Sequence, residues 1–327
     1  MLALALVALS LWSLTVGASA IPLRDLITAL TDPYGASRDS IVLFQVRLPR
    51  LLAALSAGSA LAVAGAIMQA LTGNPLADPG LLGVNAGAAF AIVTVLSLTR
   101  IPAGPELVWV GFLGAATAAL AVYALGSVGR SGTTPVKLVL AGVVVGSLLI
   151  SLTTTVLLHD SGTLDEVRFW TAGSLKNRRM ADVLPMMSYL LVALAVAVSL
   201  ASQFTSLSLG AEIARGLGQN LALWRAVSAA IVVALAGTAV VVAGPLGFVG
   251  LVVPHIARMS AGPDYRWTIP LCLLGGAMLT LLADTLPRAL LDRDIPVGVT
   301  MAVIGAPFFI HLARRRTGRN NATGAAA

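Results

Sequence analysis

Long apolar runs separated by short polar connections set the layout of this chain. A helix that crosses the hydrocarbon core of a bilayer needs ~20 mainly apolar residues. Runs of that kind cover residues 51–71, 107–126, 136–158, 183–200, 221–242 and 269–286. Shorter stretches at residues 83–98 and 297–312 read as further crossings. Residues 247–259 are too few for a full crossing, and the Gly244-Pro245 pair before them predicts a broken helix. Residues 1–20 end in Ala18-Ser19-Ala20, which matches the small-residue cleavage site of a signal peptide, but no positive leader precedes the apolar run. The segment is read as the first crossing, and residues 22–30 as a short helix outside the membrane. The pattern predicts an all-α polytopic membrane protein with about ten transmembrane helices, some short or broken. These form a single membrane domain over residues 1–327.

One stretch, residues 47–87, organises the rest. It opens on Arg47-Leu48-Pro49-Arg50, runs from Leu51 to Ala77 without a charge, and contains the turn Asn74-Pro75-Leu76-Ala77-Asp78-Pro79. Gly58, Ala62 and Gly65 let neighbouring helices come close, which matters where lipid offers no hydrophobic contrast to drive association. Pro75 and Pro79 fix φ and withhold backbone donors, so the helix is expected to stop there. Gly142 and Gly146 repeat the close-packing spacing in the run 136–158. Gly73-Asn74-Pro75-Leu76 and Gly244-Pro245-Leu246-Gly247 interrupt apolar runs at corresponding places in the two halves, as paired breaks do in transporters built from repeats.

Composition agrees with the pattern. The chain is 57% hydrophobic and 11% charged, against about 25% charged in soluble domains. Its net charge of +7 would suggest nucleic acid in a soluble protein. Here the basic residues sit in short loops and in the tail 313–327, with Arg314, Arg315, Arg316 and Arg319. The loops on the two sides carry nearly equal numbers of basic residues, so the cluster in the tail decides the orientation: both termini are placed in the cytoplasm, and no nucleic-acid partner is expected. Cys272 stands alone in an apolar run, which excludes an intrachain disulfide or a cysteine metal site.

The span centres hold essentially no ionisable residue, which argues against a proton-coupled pump or exchanger. Residue spacings for paired carboxylates, a histidine metal pair or a nucleophile and base do not occur, so neither enzyme chemistry nor a metal is expected. His255 reads as a packing residue, and Gly244, Gly247 and Gly250 as close-packing positions and not as a phosphate cradle. Asp284 lies near a span end, where water is expected to reach it. Arg47, Arg50 and Arg288 fall next to membrane boundaries. They either snorkel to lipid headgroups or form a basic rim that receives acidic residues of a soluble partner. Residues 203–220, framed by Gly210 and Gly218 with Glu212 and Arg215 three apart, are either an amphipathic connector or a helix that inserts into a motor subunit.

Taken in order, the motifs carry a resemblance. They are Arg47-Leu-Pro-Arg50, Gly65 to Gln69, Asn74-Pro-Leu-Ala-x-Pro79, Leu140-Ala-Gly142 and Trp170-x-x-Gly-Ser174. They continue with Leu209-Gly-x-Glu212-x-Ala-Arg215-x-Leu-Gly218, Gly244-Pro-Leu-Gly-Phe-Val-Gly250 and Val253-Pro-His-Ile-x-Arg258. The last are Asp284-x-x-x-Arg288 and Pro296-Val-Gly298 leading to Gly305-Ala-Pro-Phe-Phe309. Across nearly the full chain this is similar to the permease subunits of ABC importers for iron siderophores, haem and cobalamin, the FecCD type.

The resemblance implies the type II ABC importer permease architecture in a bacterial inner membrane. Two permease subunits, identical or not, would enclose one pathway. Two ATP-binding subunits would carry ATP and Mg, this chain having no cofactor of its own, and an extracytoplasmic binding protein would deliver the substrate. It also implies that Leu209, Gly210, Glu212, Arg215 and Gly218, in the cytoplasmic loop 205–220, couple to the ATPase. Arg47, Arg50 and Arg288 would meet carboxylates of the binding protein. Asn74 and Leu76 would lie near the inner gate, and the helices at 136–158, with Gly142 and Gly146, and at 297–312 would line the pathway. The implied cargo is a metal chelate, ferric siderophore first, with haem or cobalamin as alternatives. A secondary transporter or channel is the rival class, and it would need a coupling-ion site.

Overall fold

The computed structural model describes residues 1–17, 21–31, 37–99, 107–128, 135–159, 170–291, 293–308 and 310. The arginine tail, the turn with Arg130, residues 160–169 of the long polar connection and Phe309 lie outside the described residues. The helices are α1 (Leu2–Thr15), α2 (Leu23–Thr31), α3 (Arg38–Thr72), α4 (Val84–Thr99), α5 (Leu107–Ser127) and α6 (Pro135–His159). They continue as α7 (Met180–Ser199), α8 (Ala201–Ser208), α9 (Ala211–Gly216), α10 (Leu221–Ala243), α11 (Val249–Ala261), α12 (Tyr265–Leu290) and α13 (Val297–Phe308). Six of them, α3, α5, α6, α7, α10 and α12, are long and apolar enough to cross a bilayer. With the shorter apolar helices α1, α4, α11 and α13 they account for the expected crossings.

Helix α3 is the axis of the bundle. Its most apolar window is 89% buried, whereas that of α6 is 22% buried. It starts well upstream of the uncharged run, at an N-cap where Ser37 Oγ accepts the Ser40 N–H. Charge at Arg47 and Arg50 does not end the helix, because both side chains find partners inside the bundle. A π-helical turn at Leu43–Arg47 ends two residues before Pro49. Proline lacks an N–H and its ring crowds the carbonyl four residues back, and the widened turn relieves both effects. Gly73, at φ 62°, ends the helix in the left-handed region that favours glycine.

The small residues of α3 do what their spacing predicts. A Cβ at Gly58 would collide with the Gly276 carbonyl of α12, and a Cβ at Gly65 with the Gly250 carbonyl of α11. Ala62 lies beside Gly276 in the same contact. Around this core α10, α11 and α12 pack on α3, while α4, α5 and α6 form a second group joined to it through α10. Both expected breaks are present. Chain turns at Gly73 and at Gly244, φ 75°, each lead into proline, and Gly244 abuts the Trp170 carbonyl. Gly247, by contrast, packs on nothing within 4 Å.

Backbone cannot yield as a flexible side chain can. Gly65→Ala is therefore expected to lower the stability of the purified chain by about 1–3 kcal/mol. Gly146→Ala, where the added methyl meets nothing within 4 Å, is expected to leave it unchanged or slightly raised. Thermal unfolding of the two variants in detergent checks the contrast.

Candidate functional site

Three places bring the singled-out residues together. The first is the turn after α3. Asn74 Oδ1 accepts the Leu76 N–H at 3.0 Å, and Asp78 Oδ1 accepts the Gly80 N–H at 2.8 Å, capping a 3₁₀ turn at Pro79–Leu82. The segment folds back along α3 and is pinned there by Gln69. That buried side chain donates to the carbonyls of Ala77 and Gly250, both at 3.2 Å. On its other side the turn meets α6, where a Cβ at Gly142 would collide with the Leu81 carbonyl. Gly142 is thus a close-packing residue. Gly146, one helical turn on, faces open space within this chain. The segment after α3 is therefore wedged between α3, α11 and α6, with Leu81 as its contact to α6.

The second place is the arginine cluster. Asp284 is 1% exposed, which corrects the expectation that water reaches it. Arg50 grips its carboxylate through Nε (3.1 and 3.0 Å) and one terminal nitrogen (2.9 Å), and Arg288 through another (2.7 Å). Arg288 also donates to the Val16 carbonyl and to Ser13 Oγ, and Arg47 to the Leu14 carbonyl, so α1 is tied to the same knot. Arg47 and Arg288 are buried and occupied within the chain. Neither stands as an open rim. Arg50 turns its remaining terminal nitrogen to the surface, where it pairs at 2.8 Å with Asp294, a carboxylate 39% exposed, while Arg288 borders a cavity against α1. Lys176 lies 3.9 Å from the same carboxylate. Partial burial pushes the Asp294 carboxyl up, but the charge and hydrogen bond of Arg50, then Lys176 and Arg288, outweigh it and hold it below the ordinary range.

The third place is the polar segment after α7. Two short helices, α8 and α9, form here where one helix-compatible stretch was expected. Gln219 Nε2 donates to Gln203 Oε1 at 2.6 Å across the base of the segment, and Thr205 accepts the Tyr265 N–H at 3.0 Å and lies 3.1 Å from Asp264 Oδ1. Ala214 is fully buried and seats α9, while Glu212 and Arg215 point outward. So do Ile213 on α9 and Leu209 and Leu217 at the turns that flank it, at 52%, 50% and 62% exposure. Gly210, at φ 103°, and Gly218, at φ 81°, make the turns at either end. This end meets α12 at Tyr265, and the arginine cluster meets it at Asp284. At 1.5 Å per residue the two lie about 29 Å apart, roughly the thickness of a hydrocarbon core.

Sequence reasoning missed Ile213, Leu217, Gln69, Lys176 and Asp294. The two apolar residues carried no contrast in a chain so rich in them, and the others depend on long-range partners. It also passed over the exposed hydroxyls of α6. Ser147, Ser151, Thr154 and Thr155 are all exposed along one helix. The last three donate to carbonyls four residues back, which leaves acceptor lone pairs facing outward. His255 stacks edge-on with Phe308 at 5.8 Å, as a packing residue does.

A membrane bundle whose broken helices meet at a wedged central turn has the anatomy of a transport permease. Comparison with known proteins gives the family. The sequence profile of the FecCD transport family matches residues 5–315, and the chain belongs to that family. It is 43% identical over 293 residues to the probable siderophore transport system permease protein YfiZ of Bacillus subtilis (strain 168), covering 89% of this chain and 88% of that one. It is 41% identical over 305 residues to the ferric enterobactin transport system permease protein FepD of Escherichia coli (strain K12), covering 93% and 91%. A solved inward-facing structure of a metal-chelate type ABC transporter superposes with a TM-score of 0.81 at 28% identity, covering 96% of this chain and 97% of that one.

Removing Asp284 takes away the inner carboxylate that Arg50 and Arg288 share. Asp284→Ala is expected to cost about 3–5 kcal/mol, read as a large fall in the unfolding temperature of the purified chain, with Asp284→Glu retaining part of the stability.

Proposed function

We propose that this chain is the membrane subunit of an ATP-driven importer that carries a metal chelate, ferric siderophore foremost, across a bacterial inner membrane. The observation that carries the reading is α9. It projects from one end of the bundle on a clamped base and exposes Leu209, Ile213 and Leu217 beside Glu212 and Arg215. A row of apolar side chains framed by charges, outside the membrane-spanning helices, suits the cleft of a soluble motor subunit. ATP and Mg belong to that subunit. With this end cytoplasmic, both termini are cytoplasmic too, and the arginine cluster faces outward to a soluble binding protein.

The pathway follows from α6. Its mixed face of hydroxyls and apolar residues such as Val143, Val144 and Leu148 is left exposed by the described residues. A second permease subunit placed there encloses a channel with acceptor oxygens on its wall. ATP binding and hydrolysis move α9, and α6 carries the change to the turn at Asn74 and Leu76 through its contact with Leu81. An apolar pathway with few charges suits a bulky chelate that another protein captures first.

Cells lacking the chain are expected to lose accumulation of radiolabelled iron supplied as ferric siderophore. Uptake returns with the wild-type chain, but not with the double variant Ile213→Asp, Leu217→Asp, although that variant reaches the membrane at normal levels. Haem and cobalamin uptake are followed in parallel. Loss of either in place of siderophore iron replaces the cargo and keeps the mechanism. Full uptake by the double variant contradicts the coupling role of α9.

A further inference from the structure

The arginine cluster is already saturated by the chain's own acids. Asp284 occupies the inner side of Arg50, and Asp294 occupies its remaining terminal nitrogen at the surface. Arg47 and Arg288 are held by α1 and Asp284, so a carboxylate arriving from solution at this surface meets Arg50 where Asp294 now sits. Asp294 stands in the connection 291–296, just before α13, and the following turn is anchored by the Gly298 N–H donating to the Gly173 carbonyl at 2.9 Å.

We propose that Asp294 is an internal stand-in for the partner's acid: docking is an exchange in which a carboxylate of the soluble binding protein displaces Asp294 from Arg50. The proposal rests on the docking role given to this end of the bundle and names its mechanism. Three observations support it. The displaced contact lies at the surface, and pairs of that kind contribute little, so it is given up readily. Exchange of one carboxylate for another leaves the net charge of the cluster unchanged, where Arg47, Arg50 and Arg288 already outnumber Asp284. Lys176 and Arg293 are exposed beside Asp294, so the released carboxylate and the incoming one both remain among cations. Docking by exchange also frees the segment leading into α13, and this gives the partner a handle on a pathway helix.

The test is a double-mutant cycle on the assembled importer in lipid nanodiscs. It is titrated with the soluble binding protein selected as the one that stimulates its ATP hydrolysis. Asp294→Asn is expected to tighten binding by about two- to fivefold, the size of an exposed pair. Arg50→Lys keeps a charge on Asp284 but has no second arm to offer. It is expected to weaken binding and to abolish the gain from Asp294→Asn. Asp182→Asn removes the same charge from the Arg179 pair at 3.2 Å, away from Arg50, and is expected to give little or no gain.

A gain from Asp294→Asn that persists in the Arg50→Lys background, or that Asp182→Asn matches, would mean a general charge effect and overturn the exchange. Weaker binding by Asp294→Asn would make Asp294 a direct contact and overturn it as well. If Arg50→Lys leaves affinity unchanged while binding is otherwise intact, the docking reading itself fails, and the exchange falls with it.

Discussion

Everything in this fold depends on how closely other backbones approach α3. In lipid, helices gain little from burying apolar surface against one another, so contact must come from packing and from hydrogen bonds. Gly58 against Gly276 and Gly65 against Gly250 bring carbonyls to within the space of a missing methyl group. That approach places the Gly250 carbonyl where Gln69 can reach it together with that of Ala77. The turn after α3 is held by this bond, and α6 is held by the turn through Gly142 and Leu81. The rigid centre and the lightly covered α6 are consequences of the same glycine contacts.

The charges occupy the opposite extreme. Asp284 sits between two arginines from helices far apart in sequence, under almost complete burial. Burying a carboxylate is costly, and pairing with good geometry is what makes it tolerable. The triad alone carries an excess positive charge, and Asp294 supplies the balance from the surface. At this end of the bundle the charges are partly neutralised within the chain, and Asp294 meets solvent among Lys176 and Arg293. The other end presents apolar side chains on a short helix. Two ends with such different chemistry suit two different soluble partners, with the membrane-thick length of α12 between them.

Much of this was legible in the sequence, for identifiable reasons. Apolar runs marked the helices, and Gly-Pro and Gly-Asn-Pro marked their breaks, because glycine at positive φ and proline each leave few alternatives. The spacing of Gly58, Ala62 and Gly65 foretold close contact. Where charge was concerned, local reading failed. Arg47 and Arg50 looked like the boundary of a span, although α3 continues through them. Asp284 looked solvated, although its partner Arg50 lies 234 residues away in the chain. In the segment around α9 the charged pair attracted notice and the apolar residues did not. Exposed apolar side chains occur all along the chain, and Ile213 and Leu217 differ only in lying outside the membrane-spanning helices. Gly146 looked like one half of a packing pair, but within this chain only Gly142 is used.

The central claim is that the uncovered face of α6 meets water in a pathway and not lipid. Single cysteines at Ser147, Ser151 and Thr154 in a Cys272→Ser background, with Leu191→Cys on α7 as the lipid-facing comparison, allow this to be measured. The probe is a hydrophilic maleimide applied to the importer assembled in nanodiscs. The account predicts labelling of all three α6 positions, changed by ATP, and none at position 191. Equal silence at the α6 positions and at 191 would contradict it.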